Sequence, residues 1–224
     1  MIRLPLAFAA LVAFAAVASA ADDKPPAGIA VDKEKKTVTI DARVSPRKVL
    51  DSGEIYPIEV IACWGKDKKG KKAHETVVTI DVQPSDVAKA VESLGAKPGK
   101  PAVGEDAKAT GPEVAIFIEM APADGGKKLA IDKILVDPKT NKPMPKTKFL
   151  FTGSGPTKVP GMPDVPFGAD TTGSLIMLFP VDAETVFQSA FTMKEEKYLK
   201  LEVKKDVLPK EGTPVKLVIE LVGK

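Results

Sequence analysis

Short runs of alternating apolar and polar residues constrain this chain more than any other feature of its sequence. The clearest run is Thr37–Val44, which lies within the longer alternating stretch Val31–Val44. A period of two places one set of side chains on a buried face and the other in solvent, as in a half-buried β-strand. The chain is therefore expected to fold mainly as β-structure.

Eight further segments resemble strands: Glu54–Trp64, Ala73–Val82, Glu113–Met120, Leu129–Val136, Thr147–Thr152, Ser174–Val181, Tyr198–Lys204 and Pro214–Val222. Ser85–Leu94 alone predicts a helix, since Val87, Val91 and Leu94 share one face at helical spacing. Ala183–Ala190 fits either a short helix or a strand. The expected fold class is mainly β with one short helix, a β-rich α+β domain built as an antiparallel sandwich or an open barrel.

The first twenty residues predict a signal peptide. Arg3 precedes a short apolar run, and Ala18–Ala20 forms a small-residue cleavage site. An uncleaved N-terminal anchor is the alternative. The sequence thus predicts a signal peptide at 1–20, a flexible mature start at 21–29 and a single β-rich domain at 30–222. The mature protein is expected to be exported, periplasmic or extracellular, without stable membrane insertion.

Charge and cysteine content exclude several classes of function. The formal net charge is +3, with 33 basic and 30 acidic residues, so no strongly anionic partner is implied. The lone Cys63 forbids an intramolecular disulfide and cannot supply the four thiolates of an ordinary iron–sulfur cluster. Basic runs without interleaved aromatic residues do not indicate nucleic-acid binding.

The segment Glu54–Gly99 contains the only His, Cys and Trp of the chain. Asp67–Gly70 has the form of a type I turn closed by a glycine, which predicts an antiparallel β-hairpin. The helix would follow directly, so a hairpin–helix unit is expected near the N-terminus. In the register that this turn sets, Trp64 faces His74.

His74, Glu59 and Glu75 are the candidate metal ligands or acid–base residues. Consecutive strand residues point to opposite faces, so the predicted register separates His74 from both glutamates. That separation favours a structural His74 packed beside Trp64. Cys63 would face Glu75, whose charge raises the pKa of a thiol, so Cys63 is interpreted as a small buried residue.

The stretch Gly153–Gly173 is rich in Pro and Gly and lacks apolar periodicity. Loops of this length are uncommon in compact domains unless they bind ligands or are disordered. Ser154, Asp164, Asp170 and Thr171 are therefore the candidate residues of a binding loop. A surface excursion without a ligand is the alternative.

Two other segments are interpreted from their composition. Lys66–Lys72 carries five lysines and one aspartate. It is either a solvated turn or a contact for an anionic surface such as lipid headgroups or acidic polysaccharide. Lys97–Gly111 is rich in Pro, Gly and Ala and is interpreted as a loop within the domain, because the residues before it make a thin core alone.

Several motifs resemble the YdjY-domain family of commonly exported bacterial proteins. They are IEVIACWG at Ile58–Gly65, KAHETVVTIDVQPSDVAKAVESLGAKPG at Lys72–Gly99, KFLFTGS at Lys148–Ser154, GSLIMLFPVDAETVFQS at Gly173–Ser189 and LPKEGTPVKLVI at Leu208–Ile219. The resemblance implies a mainly β domain and brings no catalytic residues with it.

The expected function is that of an exported, non-catalytic binding or structural module of the bacterial cell envelope. The alternative is a metal-dependent or acid–base enzyme that uses His74 with Glu59 or Glu75. No cofactor is predicted. The expected partner is an envelope protein, a glycan or a small ligand.

Overall fold

The computed structural model describes residues 25–47, 53–158, 161, 163 and 165–223. The predicted signal peptide, 1–20, lies outside the described residues, as do residues 21–24 of the predicted flexible start.

Twelve β-strands and four α-helices are found in this part of the chain. The strands are β1 (Ile29–Asp32), β2 (Thr37–Val44), β3 (Val60–Trp64), β4 (Thr76–Ile80), β5 (Glu113–Met120), β6 (Lys128–Ala130), β7 (Leu135–Val136), β8 (Phe149–Phe151), β9 (Ser174–Met177), β10 (Phe187–Ser189), β11 (Glu202–Val203) and β12 (Pro214–Leu221). The helices are α1 (Pro84–Glu92), α2 (Ile131–Ile134), α3 (Ala169–Thr172) and α4 (Met193–Tyr198).

Eight strands form a closed ring in the order β2-β12-β5-β8-β10-β9-β3-β4. The ring closes where Ala42 and Val44 of β2 pair with Ile80 and Val78 of β4. β1 pairs with the first half of β2, β6 pairs with the second half of β5, and β7 and β11 pair separately. The prediction of a mainly β fold is confirmed. The sheet is a closed barrel where the sequence predicted a sandwich or an open barrel, and closure leaves few unpaired edges.

The alternating strands fill the barrel with aliphatic side chains. Val38, Ile40, Ala42 and Val44 of β2 point inward and are buried. The other inward residues of this wall are Val114, Ile116, Ile118 and Met120 of β5, and Val215, Leu217 and Ile219 of β12. An eight-stranded barrel is just wide enough for side chains to fill its interior. The interior is therefore a packed core, and any ligand site of this wall lies on its outer surface.

The strands β3 and β9 are buried on both faces. Every residue of β9 is buried, and so are the first four residues of β3. Val60, Cys63 and Met177 form a small apolar cluster separate from the main core. Strands covered on both faces carry continuous apolar runs in place of alternation.

The predicted hairpin between β3 and β4 is wrong. The two strands are parallel, with Ala62 beside Val78 and Trp64 beside Ile80. Lys69, and not the glycine that closes the predicted turn, takes the left-handed conformation (φ 62°), so the chain does not reverse directly after β3. Because both faces of these strands are apolar, the hydrophobic pattern did not fix their register.

Helix α1 agrees with the helix predicted at Ser85–Leu94, within the usual uncertainty of helix ends. Pro84 occupies its first turn, and Gly95 follows with φ 91°. Val87 and Val91 are fully buried, and the helix contacts β1, β2 and α3. The apolar face of α1 therefore belongs to the same core as the barrel.

Two predicted strands differ from the observed elements, and one ambiguous segment is resolved. Leu129–Val136 divides into β6, α2 and β7. Only Glu202–Val203 of the predicted strand Tyr198–Lys204 is a strand, because Tyr198 ends helix α4. A capping box of Thr192 and Glu195 begins α4, and this Thr-x-x-Glu pattern was visible in the sequence. Ala183–Ala190 contains strand β10, so the strand alternative is the observed one.

The loop Lys97–Gly111 is tied to the barrel by hydrogen bonds. Lys100 and Thr110 pair with each other, and the Gly99 amide donates to the Phe151 carbonyl (3.0 Å). The Gln188 side chain accepts from the Ala102 amide (2.7 Å) and donates to its carbonyl (3.1 Å). The loop is thus part of the barrel's packing, as an intradomain loop requires.

Candidate functional site

The carboxylates of Glu59 and Glu75 both form an ion pair with Lys72. The Nζ atom of Lys72 lies 2.9 Å from Glu59 Oε2 and 3.0 Å from Glu75 Oε1. Burial acts to lower the pKa of Lys72, but hydrogen bonds and charge from the two glutamates outweigh burial and raise it. Two of the three metal candidates are therefore engaged by a cation that belongs to the chain.

His74 packs beside Tyr56, and the expectation that it packs beside Trp64 is wrong. The rings of His74 and Tyr56 meet edge to face, with centroids 5.1 Å apart and an interplanar angle of 82°. Trp64 donates from Nε1 to the Val82 carbonyl (2.8 Å), and its ring lies against Gly173. The cause is the parallel pairing of β3 and β4, which removes His74 from the position opposite Trp64. In the described part of the chain, no group of three or more His, Cys, Asp and Glu side chains is arranged to hold a metal ion.

Arg47 extends the polar cluster around Lys72. Its guanidinium donates to the carbonyls of Tyr56 (2.5 Å) and Thr76 (3.4 Å). Burial lowers the pKa of Arg47, and the charge of Glu202 is the largest effect that opposes this change. Because both guanidinium contacts are to main-chain carbonyls, Arg47 joins the Tyr56 segment to the start of β4.

Cys63 is fully buried in β3. Its Sγ atom donates to the Trp64 carbonyl (3.3 Å). Burial raises the pKa of the thiol to about 12, and the charge of Glu75 adds to the effect. The thiol therefore stays protonated at neutral pH and lacks the thiolate needed for nucleophilic attack or metal binding. The prediction of a small buried residue is confirmed.

The candidate binding loop is held against the barrel by its own polar residues. Ser154 Oγ accepts from the Ala169 amide (2.9 Å), and Asp170 Oδ1 accepts from the Ser85 amide in the first turn of α1 (2.9 Å). Thr171 is exposed, and Asp164 lies outside the described residues. The structure thus gives Ser154 and Asp170 a role in positioning the loop.

A groove of about 750 Å³ lies on the outer surface of the barrel, and sequence reasoning missed it. Its floor is the outer face of β2, β12 and β5. Ala27 and Gly28, together with Asp81 and Val82, line the β2 side, and Ala121–Pro122 line the β5 side. A volume of this size is in the range of small-molecule sites. No sequence signal marked the groove, because strands distant in sequence form it.

Outward-facing charged residues cover the floor of the groove. Asp41 of β2, Lys216 of β12 and Glu119 of β5 occupy adjacent positions across the sheet. Asp41 and Lys216 form an ion pair. The Glu119 side chain makes no hydrogen bond or ion pair with any other described residue. Among the described residues, the Arg43 guanidinium donates only to the Gly212 carbonyl (3.4 Å). A guanidinium and a carboxylate are therefore both available to a ligand.

No helix among the described residues is long and apolar enough to span a membrane. A search of curated proteins and a search of solved structures found no match. The model of the YdjY domain matches residues 29–220, which span the ring from β2 to β12. The resemblance noted in the sequence is thereby confirmed, and the chain belongs to the YdjY-domain family.

Proposed function

We propose that this protein is an exported, non-catalytic binding module of the bacterial cell envelope, and that the groove on β2, β12 and β5 holds its ligand. The observation that carries the proposal is the groove itself, in which Arg43 and Glu119 have no charged partner among the described residues. The signal-peptide pattern of 1–20 supports export.

The charges of the groove favour a polar ligand with both an anionic and a cationic group. Arg43 suits a carboxylate, because a guanidinium donates two parallel hydrogen bonds to it. Glu119 suits an ammonium group. The two residues lie two strands apart on the outer face and are offset by two residues along the strands, which separates their Cα atoms by about 12 Å. Short zwitterionic peptides, whose terminal charges can be this far apart, fit that arrangement.

The alternative, an enzyme using His74 with Glu59 or Glu75, has less support. Both carboxylates would have to leave Lys72 before they could act as bases or ligands. The imidazole of His74 also packs on Tyr56. These contacts favour a structural role for the polar cluster and leave the groove as the better candidate site.

The test is a nuclear magnetic resonance titration of the chain from Ala21 with trialanine. The expected result is a change in the amide resonances of Asp41, Arg43 and Lys216, with no change when both peptide termini are blocked. Arg43→Gln and Glu119→Gln should each weaken binding about tenfold or more, because each removes one charge-assisted contact. Lys139→Gln and Glu34→Gln, which lie outside the groove lining, are the matched controls.

Equal affinity for the free and the blocked peptide would contradict the proposed recognition of charge. Resonance changes confined to other parts of the surface, or none at all, would reject the groove as the site. Unchanged affinity of both Arg43→Gln and Glu119→Gln for trialanine would also reject the groove as the site.

A further inference from the structure

The loop between β3 and β4 presents four lysines to solvent. Lys66, Lys68, Lys69 and Lys71 are all exposed, and Asp67 is the one acidic residue among them. Lys72, the fifth lysine of the loop, points away from this group and binds Glu59 and Glu75. We refer to residues 65–72 as the lysine loop.

The lysine loop has a fixed main-chain conformation. The Gly65 carbonyl accepts from the amides of Lys68 (3.1 Å) and Gly70 (2.9 Å). Gly70 is required at its position, because a Cβ atom there would lie 1.9 Å from the Trp64 carbonyl oxygen. Lys72 fastens the end of the loop through its two ion pairs. The main chain that carries the exposed lysines is therefore already ordered, which lowers the conformational entropy lost when they bind a partner.

The four exposed lysines form no ion pair with any described carboxylate. Lys68 donates to the Asp81 main-chain carbonyl (2.5 Å), which does not neutralise its charge. Some lysines elsewhere do have partners: Lys128 pairs with Glu220, and Lys148 pairs with Glu113. The lysine loop is thus a site of concentrated positive charge on a nearly neutral chain, with Asp67 offsetting one of the four exposed lysine charges.

The composition of the loop favours a diffuse anionic surface over a discrete ligand. Lysine is a flexible point charge, whereas arginine is the usual residue for bidentate recognition of one phosphate or carboxylate. The loop contains lysines and no arginine, and it has no aromatic residue for stacking on a sugar or base. We propose that the lysine loop docks the protein on the surface of an anionic lipid bilayer. The four exposed lysines do not line the groove, and Lys68 contacts Asp81 at its border.

The experiment is co-sedimentation of the chain from Ala21, which contains every described residue, with lipid vesicles. Vesicles of phosphatidylglycerol and phosphatidylethanolamine supply the anionic surface, and phosphatidylcholine vesicles are neutral. The protein should sediment with the anionic vesicles alone, and less so at high salt, because exposed charges are screened. Each Lys→Gln substitution in the loop should weaken binding about fivefold.

The matched control removes the same charge elsewhere. K66Q/K68Q/K69Q/K71Q is compared with K97Q/K108Q/K127Q/K139Q, which changes four exposed lysines spread over other loops. The loop variant should lose binding and the scattered variant should keep most of it. Equal losses would show a response to net charge alone and overturn the proposal. Absence of wild-type binding to anionic vesicles, or retention on immobilised polygalacturonate without vesicle binding, would also overturn it.

Discussion

At the residue scale, Cys63 shows how burial sets chemical behaviour. The thiol lies in β3 between β4 and β9, and burial raises its pKa to about 12 from an ordinary value of 9.0. In the unfolded chain the thiol returns to its ordinary pKa. Between these two values the unfolded state ionises and the folded state does not, so ionisation favours unfolding.

This difference predicts a loss of stability at alkaline pH. Because the folded pKa is raised, the contribution of Cys63 is constant below about pH 9 and falls as pH rises from 9 towards 12. The free energy of unfolding should fall by about 1.4 kcal/mol per pH unit in the middle of this window through Cys63 alone. Urea unfolding of the wild type and of Cys63→Ala, at pH 8 and pH 10.5, measures the effect.

Lysines and tyrosines also titrate in this window, and the Cys63→Ala variant controls for them. The variant is less stable at pH 8, since it leaves a cavity, but its stability should fall less with pH. Parallel pH profiles of the two proteins would show that the thiol does not contribute.

The sequence predicted the environment of Cys63 but not that of His74. The predicted effect of Glu75 on the pKa of the Cys63 thiol required only that the two side chains lie near each other. Both an antiparallel and a parallel pairing of β3 with β4 meet that condition. The contact between His74 and Tyr56 depends on the path of the lysine loop. That path is set by the left-handed Lys69 and the crowded Gly70, which local sequence preference did not indicate.

At the element scale, Asp170 joins the loop before β9 to helix α1. Its carboxylate accepts from the Ser85 amide, one of the first-turn amides that have no partner within a helix. The residue that precedes the helix, Gln83, makes no side-chain cap. A carboxylate from a distant segment therefore supplies the missing cap and also complements the helix dipole.

Asp170→Ala should lower the free energy of unfolding by about 1 kcal/mol, the usual effect of losing a helix cap. Asp170→Asn keeps an acceptor oxygen and should lose less. Thermal unfolding followed by circular dichroism measures both changes. The control is Thr171→Ala, since the exposed neighbour should change stability by less than about 0.5 kcal/mol. Equal effects at the two positions would refute the capping role.

The elements that the sequence predicted best have one buried face. The predicted bounds of the strands at Thr37–Val44 and Glu113–Met120 agree with β2 and β5, and β12 ends one residue before its predicted limit. Strands β3 and β4 were located, but their relative direction was wrong. Alternation specifies which side of a strand is buried, and a strand buried on both sides lacks that information.

At the scale of the whole molecule, the last strand completes the ring. β12 lies between β2 and β5 and pairs with both along most of its length. The ladders of β12 with β2 and β5 join segments more than 90 residues apart, so no local sequence pattern predicted them. For the same reason the sequence could indicate a mainly β fold but not its closure or the groove.

A chain that ends at Lys210 should not fold cooperatively. Without β12, strands β2 and β5 have unpaired edges and the core loses Val215, Leu217 and Ile219. The truncated chain should bind a hydrophobic dye and show no sharp thermal transition. A chain ending at Leu221 keeps both ladders and is the control. A cooperative transition of the shorter chain near the wild-type temperature would contradict this prediction.

The position of β12 in the sequence also determines when the ring can close as the chain is synthesised. A ribosome adds residues 214–221 after β2 and β5, so the ring cannot close before β12 has been made. Until then β2 and β5 have no common neighbour, and the edges that β12 will cover stay unpaired. The barrel therefore stays incomplete until its final ladder partner is made, and in the meantime β2 and β5 each have an edge that another chain could pair with.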